Sequence, residues 1–188
     1  MNHQTMQQNR VYEPPSYLSE RGLRAEQDRK KSRMVEMESP QNSIWGPELW
    51  MILHSSAERI GTKATRLPKE ESRIWIGLLR SLQYSLPCPL CKKHYASYWS
   101  HSPLPLITRE AVRSWLGTLH HQVNQRTGKP EYTESLTETY GQPFHFTKHY
   151  SIVVKHMTHA VRLGWCSRED VQRTVRFFEE MKRFYDFF

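Results

Sequence analysis

Apolar residues recur every three or four positions through much of the chain, and this spacing constrains the fold more than any other feature. The clearest stripe runs from Trp45 to Ile60, where Leu49, Leu53 and Ala57 fall on one side of a helix. Further stripes lie at residues 68–86, 108–127, 147–163 and 168–185. No segment alternates apolar and polar residues as a half-buried strand does. The sequence therefore predicts an all-α fold, a bundle of short helices.

Residues that start and stop helices stand at the ends of these stripes. Pro47 suits the first turn of the first helix. Thr108 suits an N-cap, and Gly128 suits the end of the same helix. Ser167, followed three residues later by Asp170, resembles a capping box for the last helix. These signals predict the helix boundaries.

Composition divides the chain into three parts. Residues 1–43 are polar and charged with few apolar side chains, so we expect a mobile tail. Residues 44–135 carry most of the stripes and motifs, and we expect them to form the main domain. Residues 136–188 read as a helical extension whose last helix is apolar enough to pack on the bundle or on a partner. Its apolar residues are Val175, Phe178, Phe184 and Phe187.

Charge and hydropathy exclude several classes of protein. The net charge of +8 is spread along the chain without a dense basic block, which argues against specific binding of nucleic acid. No apolar run has the length of a membrane span, and the first ten residues lack the apolar core of a secretory signal. Three cysteines are too few for a disulfide scaffold. We therefore expect a cytoplasmic location.

The most informative motif is a pair of cysteines three residues apart, Cys88 and Cys91, with Pro89 between them. If a helix begins near Pro89, its free N–H groups and dipole would lower the pKa of a thiol there and favour thiol–disulfide exchange. The same spacing also suits half of a zinc site, and the two cysteines alone favour neither reading. The candidate zinc ligands are Cys88, Cys91, His94 and either His120 or His121.

Two polar pairs lie on either side of the dithiol. Trp50 and His54 are four residues apart on one helix, so they share a face and could stack an aromatic ring between them. His120 and Asn124 have the same spacing on another helix, and Lys129 follows that helix, where it could reach a phosphate. Together with the dithiol, these residues indicate a pocket for a flat anionic cofactor.

The motifs, in this order, resemble the Erv/ALR family of FAD-linked sulfhydryl oxidases over about residues 44–135. The resemblance implies a four-helix bundle with a short extra helix, usually homodimeric, that holds FAD between its helices. It implies oxidation of protein dithiols, with electrons passed to the flavin and then to O2 to give hydrogen peroxide. The matching residues are Trp50 and His54, then Cys88 and Cys91, then His120, Val123, Asn124, Gly128, Lys129 and Pro130.

The resemblance also assigns roles to residues. Cys88 would exchange with an incoming thiol, and Cys91 would lie against the isoalloxazine ring and pass electrons to it. The partner would be a protein dithiol or a thioredoxin-like thiol carrier, and no metal is expected. The cofactor-binding residues implied by the family are Trp45, Gly46, Trp50, His54, His120, Val123, Asn124, Lys129 and Tyr132.

Departures from the family pattern indicate which members of the family the chain resembles most. His121 stands where an Asn is common, and Gly117 and Glu134 replace both members of a bracing cysteine pair. Arg59 replaces an aromatic residue that often contacts the adenine, and residues 1–43 lack a shuttle cysteine pair. This compact form is most similar to the oxidases of large cytoplasmic DNA viruses. A viral origin would imply that the protein works in the host cytoplasm or in the virion.

Two features lie outside the motifs. Cys166 stands alone, which favours a small buried thiol over a resolving or intermolecular cysteine. Four histidines share one face of the predicted helix over 147–163 and of the residues just before it. Such a face could bind a metal or form a pH-sensitive contact, but the sequence favours a partly solvated flank. The histidines are His145, His149, His156 and His159, beside the apolar Val153, Met157 and Ala160.

Overall fold

The computed structural model describes residues 22, 24, 41–63, 68–130 and 136–188. Within them the protein has seven α-helices and no strand, which confirms the all-α prediction. Residues 38–188 form one compact unit that contains all seven helices. The helices are α1 (Asn42–Ala57), α2 (Pro68–Ser85), α3 (Pro89–His101), α4 (Arg109–Thr127), α5 (Leu136–Tyr140), α6 (Phe146–Arg162) and α7 (Arg168–Phe184).

The predicted caps are in place at three helix starts or ends. The Thr108 hydroxyl accepts the amide of Ala111 at the start of α4, and Gly128 ends that helix in the left-handed conformation, with φ of 66°. The Ser167 hydroxyl accepts the Asp170 amide at 3.0 Å, as a capping side chain does. Local sequence therefore sets these boundaries.

Helix α1 begins earlier than its apolar stripe indicates. The carbonyl of Gln41 accepts the amides of Ile44 and Trp45, so the first turn forms at Asn42. Pro47 is consequently inside the helix instead of in its first turn. Proline cannot donate a backbone hydrogen bond, but so close to the start of the helix the cost is small. The early start matters because it adds Asn42 to the helix.

Helix α1 lies at the centre of the fold. It contacts α4, α5 and α6, while α2 packs against α3 and α7. The second half of α1 is consequently buried on nearly all sides, including His54, Ser55 and Ser56. A helix enclosed in this way brings polar side chains into the interior as well as apolar ones.

The helices beyond residue 136 pack on the rest of the unit. Helix α6 packs against α1 and helix α7 packs against α2, so the apolar last helix packs on the bundle. Phe178 is fully buried, and the Tyr185 hydroxyl accepts from Trp75 at 2.8 Å and donates to Glu71 at 2.7 Å. Gly77 allows close contact between α2 and α7, because a Cβ there would lie 2.2 Å from the Phe177 ring.

The histidine face of α6 is a partly solvated flank, as its sequence favours. Val153, Met157 and Ala160 are buried beside it. His149 pairs with Glu48, and the His156 ring nitrogen lies 2.9 Å from the Gln41 side-chain oxygen. These contacts hold α6 against the start of α1. Among the described residues, no helix is both long and apolar enough to cross a membrane.

Candidate functional site: a cavity between a dithiol and a histidine pair

A cavity of about 480 Å³ opens between α1, α2, α3 and α4. Its floor is apolar, formed by Leu53, Leu82 and Leu119, and both motif cysteines reach its wall. The helices that carry the three motifs therefore meet around one space. The sequence-predicted residues on its wall are Trp45, Gly46, Trp50, Cys88, Cys91, Val123, Asn124 and Lys129.

The dithiol stands at the start of α3. Cys88 is the N-cap in extended conformation, and its sulfur accepts the backbone amide of Cys91 at 3.2 Å. Pro89 takes the first helical position, where a missing N–H costs nothing. Both cysteines are free thiols; Cys88 is 2% exposed and Cys91 is half-buried. The predicted placement of the pair at a helix start is therefore correct.

A side chain that the motifs do not include contacts both sulfurs. The Asn42 amide nitrogen lies 3.6 Å from the Cys88 sulfur and 3.5 Å from the Cys91 sulfur. Its oxygen accepts the Trp45 indole N–H at 3.1 Å, which fixes the direction of the amide. Sequence analysis missed Asn42 because it placed the start of α1 after this residue.

The electrostatics of Cys91 differ from the sequence prediction that the helix start lowers a thiol pKa. The hydrogen bond to Cys88 raises the pKa of the Cys91 thiol well above its usual range, and burial raises it further. The nearby charge of Arg126 opposes this shift. In the reduced pair the Cys91 thiol therefore keeps its proton and donates to the Cys88 sulfur. The prediction considered the helix dipole and neglected the second sulfur.

The third cysteine lies behind the dithiol. The Cys166 thiol donates to the Leu86 carbonyl oxygen at 3.4 Å, and the same oxygen accepts the Cys88 amide at 2.8 Å. Burial raises the pKa of Cys166. Lys92, one residue after Cys91, donates to the Trp165 carbonyl. The turn between α6 and α7 thus supports the dithiol from outside the motif region, and Cys166 is buried as its sequence favours.

A pair of buried histidines lies beyond the other side of the cavity. Nitrogen Nε2 of His54 is 3.2 Å from Nδ1 of His120, so one ring donates to the other. Burial, followed by the neighbouring His120 and Arg113, lowers the pKa of His54 to about 3. Burial, followed by the charge of Lys129, lowers the pKa of His120 to about 4. Both rings are therefore neutral near pH 7.

Two further rings close the histidine pair on its outer faces. Trp50 stacks on His120 with ring centroids 4.1 Å apart, and Tyr140 stacks on His54 at 4.6 Å. The Trp50 and His54 rings are 5.6 Å apart and tilted by 40°, so no aromatic ring lies between them as their spacing suggested. His54 and His120 are thus behind Trp50 and not on the cavity wall. Arg59, at the position of the missing family aromatic, is exposed.

The end of α4 supplies the polar side of the cavity. The Asn124 amide lies 3.4 Å from the Pro130 carbonyl, and the backbone N–H of Lys129 donates to the Asn124 carbonyl. The left-handed Gly128 makes this turn and places Lys129 beside the cavity together with Arg126. Sequence analysis identified Lys129 but missed Arg126, whose basic character in the last helical turn was the available signal. Tyr132 lies outside the described residues.

The residues present suit FAD better than zinc. An apolar floor fits a flat ring system, a dithiol stands within reach of it, and the two cations Arg126 and Lys129 fit phosphates. Among the described residues, no group of three or more His, Cys, Asp or Glu side chains is arranged to hold a metal ion. His120 is paired with His54 instead of approaching the cysteines, so the zinc alternative with His120 as a ligand has no support.

Comparisons with known proteins agree with this geometry. The model of the Erv1 / Alr family matches residues 47–151. An FAD-linked sulfhydryl oxidase of African swine fever virus (isolate Pig/Kenya/KEN-50/1950) is 35% identical over 85 residues, which are 45% of this chain and 69% of that protein. The putative FAD-linked sulfhydryl oxidase 088R of frog virus 3 is 29% identical over 92 residues, 48% of this chain and 61% of that protein.

A cellular relative extends the comparison. The mitochondrial FAD-linked sulfhydryl oxidase ERV1 of Saccharomyces cerevisiae is 25% identical over 87 residues, 46% of this chain and 44% of that protein. No solved structure matches significantly. The family match spans the dithiol, both histidines and Lys129. The chain belongs to the Erv1/Alr family and is an FAD-linked sulfhydryl oxidase.

Proposed function

We propose that the protein oxidises paired cysteines of a protein substrate to a disulfide through Cys88 and Cys91. The observation that carries this proposal is the position of both sulfurs on the wall of the cavity that suits FAD. Bound FAD supplies a two-electron acceptor that O2 reoxidises, with release of hydrogen peroxide. The thiol chemistry belongs to the chain itself.

The two cysteines take different roles in this proposal. With the pair oxidised, a substrate thiolate attacks the Cys88 sulfur, the bond between Cys88 and Cys91 breaks, and Cys91 leaves as a thiolate. A second substrate thiolate then attacks the substrate sulfur of the mixed disulfide and releases Cys88. Both sulfurs line the cavity, and the assignment of Cys91 to the cofactor side follows the family resemblance.

We assign the cavity wall to the cofactor. The side chains of Trp45, Trp50 and Val123 and the backbone of Gly46 would border the ring system. Lys129 and Arg126 would attract the diphosphate, and Asn124 would fix the turn between them. His54 and His120 would back Trp50 from the interior. Tyr132 belongs to this set by family resemblance.

We also propose the organisation and partners of the protein. Residues 44–135 form the FAD-binding domain, with α1–α4 as its four-helix bundle, and residues 136–188 form a helical extension. The short extra helix of the family would correspond to α5, at the start of that extension. The active form is a homodimer. Of the predicted tail over residues 1–43, Asn42 and Ser43 belong to α1, and nearly all of the rest lies outside the described residues. The substrate is a protein dithiol or a thioredoxin-like thiol carrier, because residues 1–43 contain no second cysteine pair.

The test is oxygen consumption by flavin-loaded protein supplied with a reduced thioredoxin-like protein. We expect one hydrogen peroxide and one substrate disulfide for each O2 consumed, and no turnover by Cys88→Ser. The matched control is Cys166→Ser, which removes a cysteine outside the pair. Full turnover by Cys88→Ser, or substrate oxidation without peroxide, would contradict the proposal. Light scattering of the loaded protein tests the dimer, and a monomeric mass would overturn it.

A further inference from the structure

The Asn42 carboxamide at the start of α1 is placed against the sulfur atoms of the dithiol. Asparagine in a first turn often turns back to bond the backbone. Here its amide nitrogen points to the sulfurs of Cys88 and Cys91, at 3.6 and 3.5 Å. The Trp45 indole N–H holds the amide oxygen from the other side, at 3.1 Å. Trp45 is 6% exposed, so this orientation is fixed from within the core.

The near-equal distances give the amide access to either sulfur. Thiolates are the reactive and leaving species in disulfide exchange, and a leaving group of lower pKa departs faster. A hydrogen bond to a charged acceptor is about twice as strong as one between neutral groups. An amide fixed between two sulfurs therefore stabilises the sulfur that carries the charge at each step more than it stabilises the neutral thiol.

We propose that Asn42 is a third catalytic residue, which donates its amide N–H to the departing sulfur in both halves of disulfide exchange. This inference rests on the proposed function of the dithiol. In the first half, a substrate thiolate bonds to Cys88, the bond between Cys88 and Cys91 breaks, and Asn42 donates to the Cys91 thiolate. In the second half, the other substrate thiolate closes the substrate disulfide and Asn42 donates to the Cys88 thiolate.

The proton and electron balance closes within the pair and its substrate. The substrate dithiol loses two electrons and two protons, and the enzyme disulfide gains both as two thiols. Asn42 changes neither charge nor redox state. Its contribution is confined to the stability of the thiolates, which can be measured in the reduced protein without any flavin.

The experiment compares Asn42→Ala and Asn42→Asp with the wild type. The first readout is the pH titration of thiolate absorbance at 240 nm in the reduced protein. The second is kcat/KM for a dithiol with flavin-loaded enzyme. We expect Asn42→Ala to shift the thiolate titration to higher pH and to lower kcat/KM about tenfold. Asn42→Asp keeps the side-chain shape but adds negative charge, so its loss should be larger.

Two further variants separate this role from a structural one. Gln41→Ala changes the preceding residue, whose side chain contacts His156 and not the sulfurs, and both readouts should match the wild type. Trp45→Phe removes the N–H that fixes the Asn42 amide, and we expect a smaller shift of the titration in the same direction. Equal helical circular dichroism across the set shows that the fold is intact.

The outcomes distinguish this inference from the proposed function. Wild-type titration and kcat/KM in Asn42→Ala, with Cys88→Ser inactive, would overturn the role of Asn42 and leave the dithiol mechanism standing. A wild-type protein that oxidises no dithiol would overturn the proposed function and, with it, the catalytic role. A displaced titration in Gln41→Ala equal to that in Asn42→Ala would assign the effect to the helix start and overturn the inference.

Discussion

The site has a dithiol end, at Cys88 and Cys91, and a histidine end, at His54 and His120, and the two ends differ in whether they stabilise a charge. At the dithiol end, Cys91 is half-buried and both sulfurs lie within reach of an amide donor, with Arg126 close enough to influence Cys91. At the histidine end, the rings of His54 and His120 are buried and neutral, and each is covered by another aromatic ring. One end is built to stabilise a changing charge, and the other excludes charge.

This difference explains why neither end could do the work of the other. A thiolate formed among stacked rings would lose its hydration without gaining donors, so it would be unstable there. A histidine pair beside the dithiol would titrate near neutral pH and change the local field with it. Because the histidines are buried and neutral, they support Trp50 rigidly, while the reactive sulfurs keep their hydrogen-bond donors. The comparison yields four predictions.

The largest effect is expected at the dithiol end. Cys91→Ser removes the leaving sulfur of the first exchange step, so dithiol oxidation should fall to the background rate. The flavin should stay bound, because most of the cavity wall is unchanged. Oxygen consumption and flavin absorbance after gel filtration measure the two properties. Substantial residual oxidase activity would contradict the role of Cys91.

The loss of stability at acid pH should come mainly from the histidine end of the site. The folded-state pKa values of His54 and His120 are about 3 and about 4, below the usual 6.5, so the unfolded chain binds more protons below pH 6.5. Their contribution to the free energy of unfolding is complete above about pH 6.5 and decreases as the pH falls towards 4. The expected decrease is at most about 1.4 kcal/mol per pH unit for each histidine.

Urea unfolding at pH 7, 6 and 5 measures this decrease. The double variant His145→Gln/His159→Gln alters two exposed histidines and serves as the control, which should retain the pH dependence of the wild type. A free energy of unfolding that is flat between pH 7 and pH 5 would show that the buried pair is not neutral in the folded state.

Breaking the histidine pair should weaken the fold more than the thiol chemistry. His54→Phe leaves a buried nitrogen of His120 without its partner, which costs about 1–3 kcal/mol in free energy of unfolding. The alkylation rate of the reduced dithiol by iodoacetamide should not change, because Asn42 still contacts both sulfurs. Urea unfolding and mass spectrometry measure the two. Slower alkylation with an unchanged free energy of unfolding would contradict this prediction, because the histidine pair would then act on the thiol chemistry and not on the fold.

The smallest effect is expected behind the dithiol. Cys166→Ala removes a weak thiol donor to the Leu86 carbonyl, which keeps its bond from the Cys88 amide. The free energy of unfolding should fall by about 1 kcal/mol or less, and kcat/KM should change less than about twofold. Steady-state oxygen consumption is the measurement. A large loss of activity in a folded variant would place Cys166 in the path of electrons.

The parts of the fold that follow from local interactions were predictable. The cap at Thr108, the left-handed turn at Gly128 and the start of α3 at Pro89 depend on residues within one helical turn of each other. Their signals are therefore written in consecutive residues. The helical stripes likewise follow from a period that each segment carries by itself, so the five helices with a stripe were predicted to within a few residues.

The parts that depend on distant contacts were not predictable. Asn42 meets Cys88 across 46 residues of sequence, and Tyr140 meets His54 from α5, a five-residue helix without a stripe of its own. The raised pKa of Cys91 arises from its neighbouring sulfur and burial, which the spacing of the motif does not express. The motifs thus located the site, and packing determined its chemistry.

The most direct test of the central claim is an anaerobic titration of the flavin-loaded protein with a dithiol, followed at the flavin absorbance band. We predict that one equivalent of dithiothreitol bleaches the bound flavin, that admission of air restores its absorbance, and that hydrogen peroxide appears in equal amount. A flavin that stays oxidised while Cys88 and Cys91 become reduced would contradict transfer of electrons from this dithiol to the cofactor.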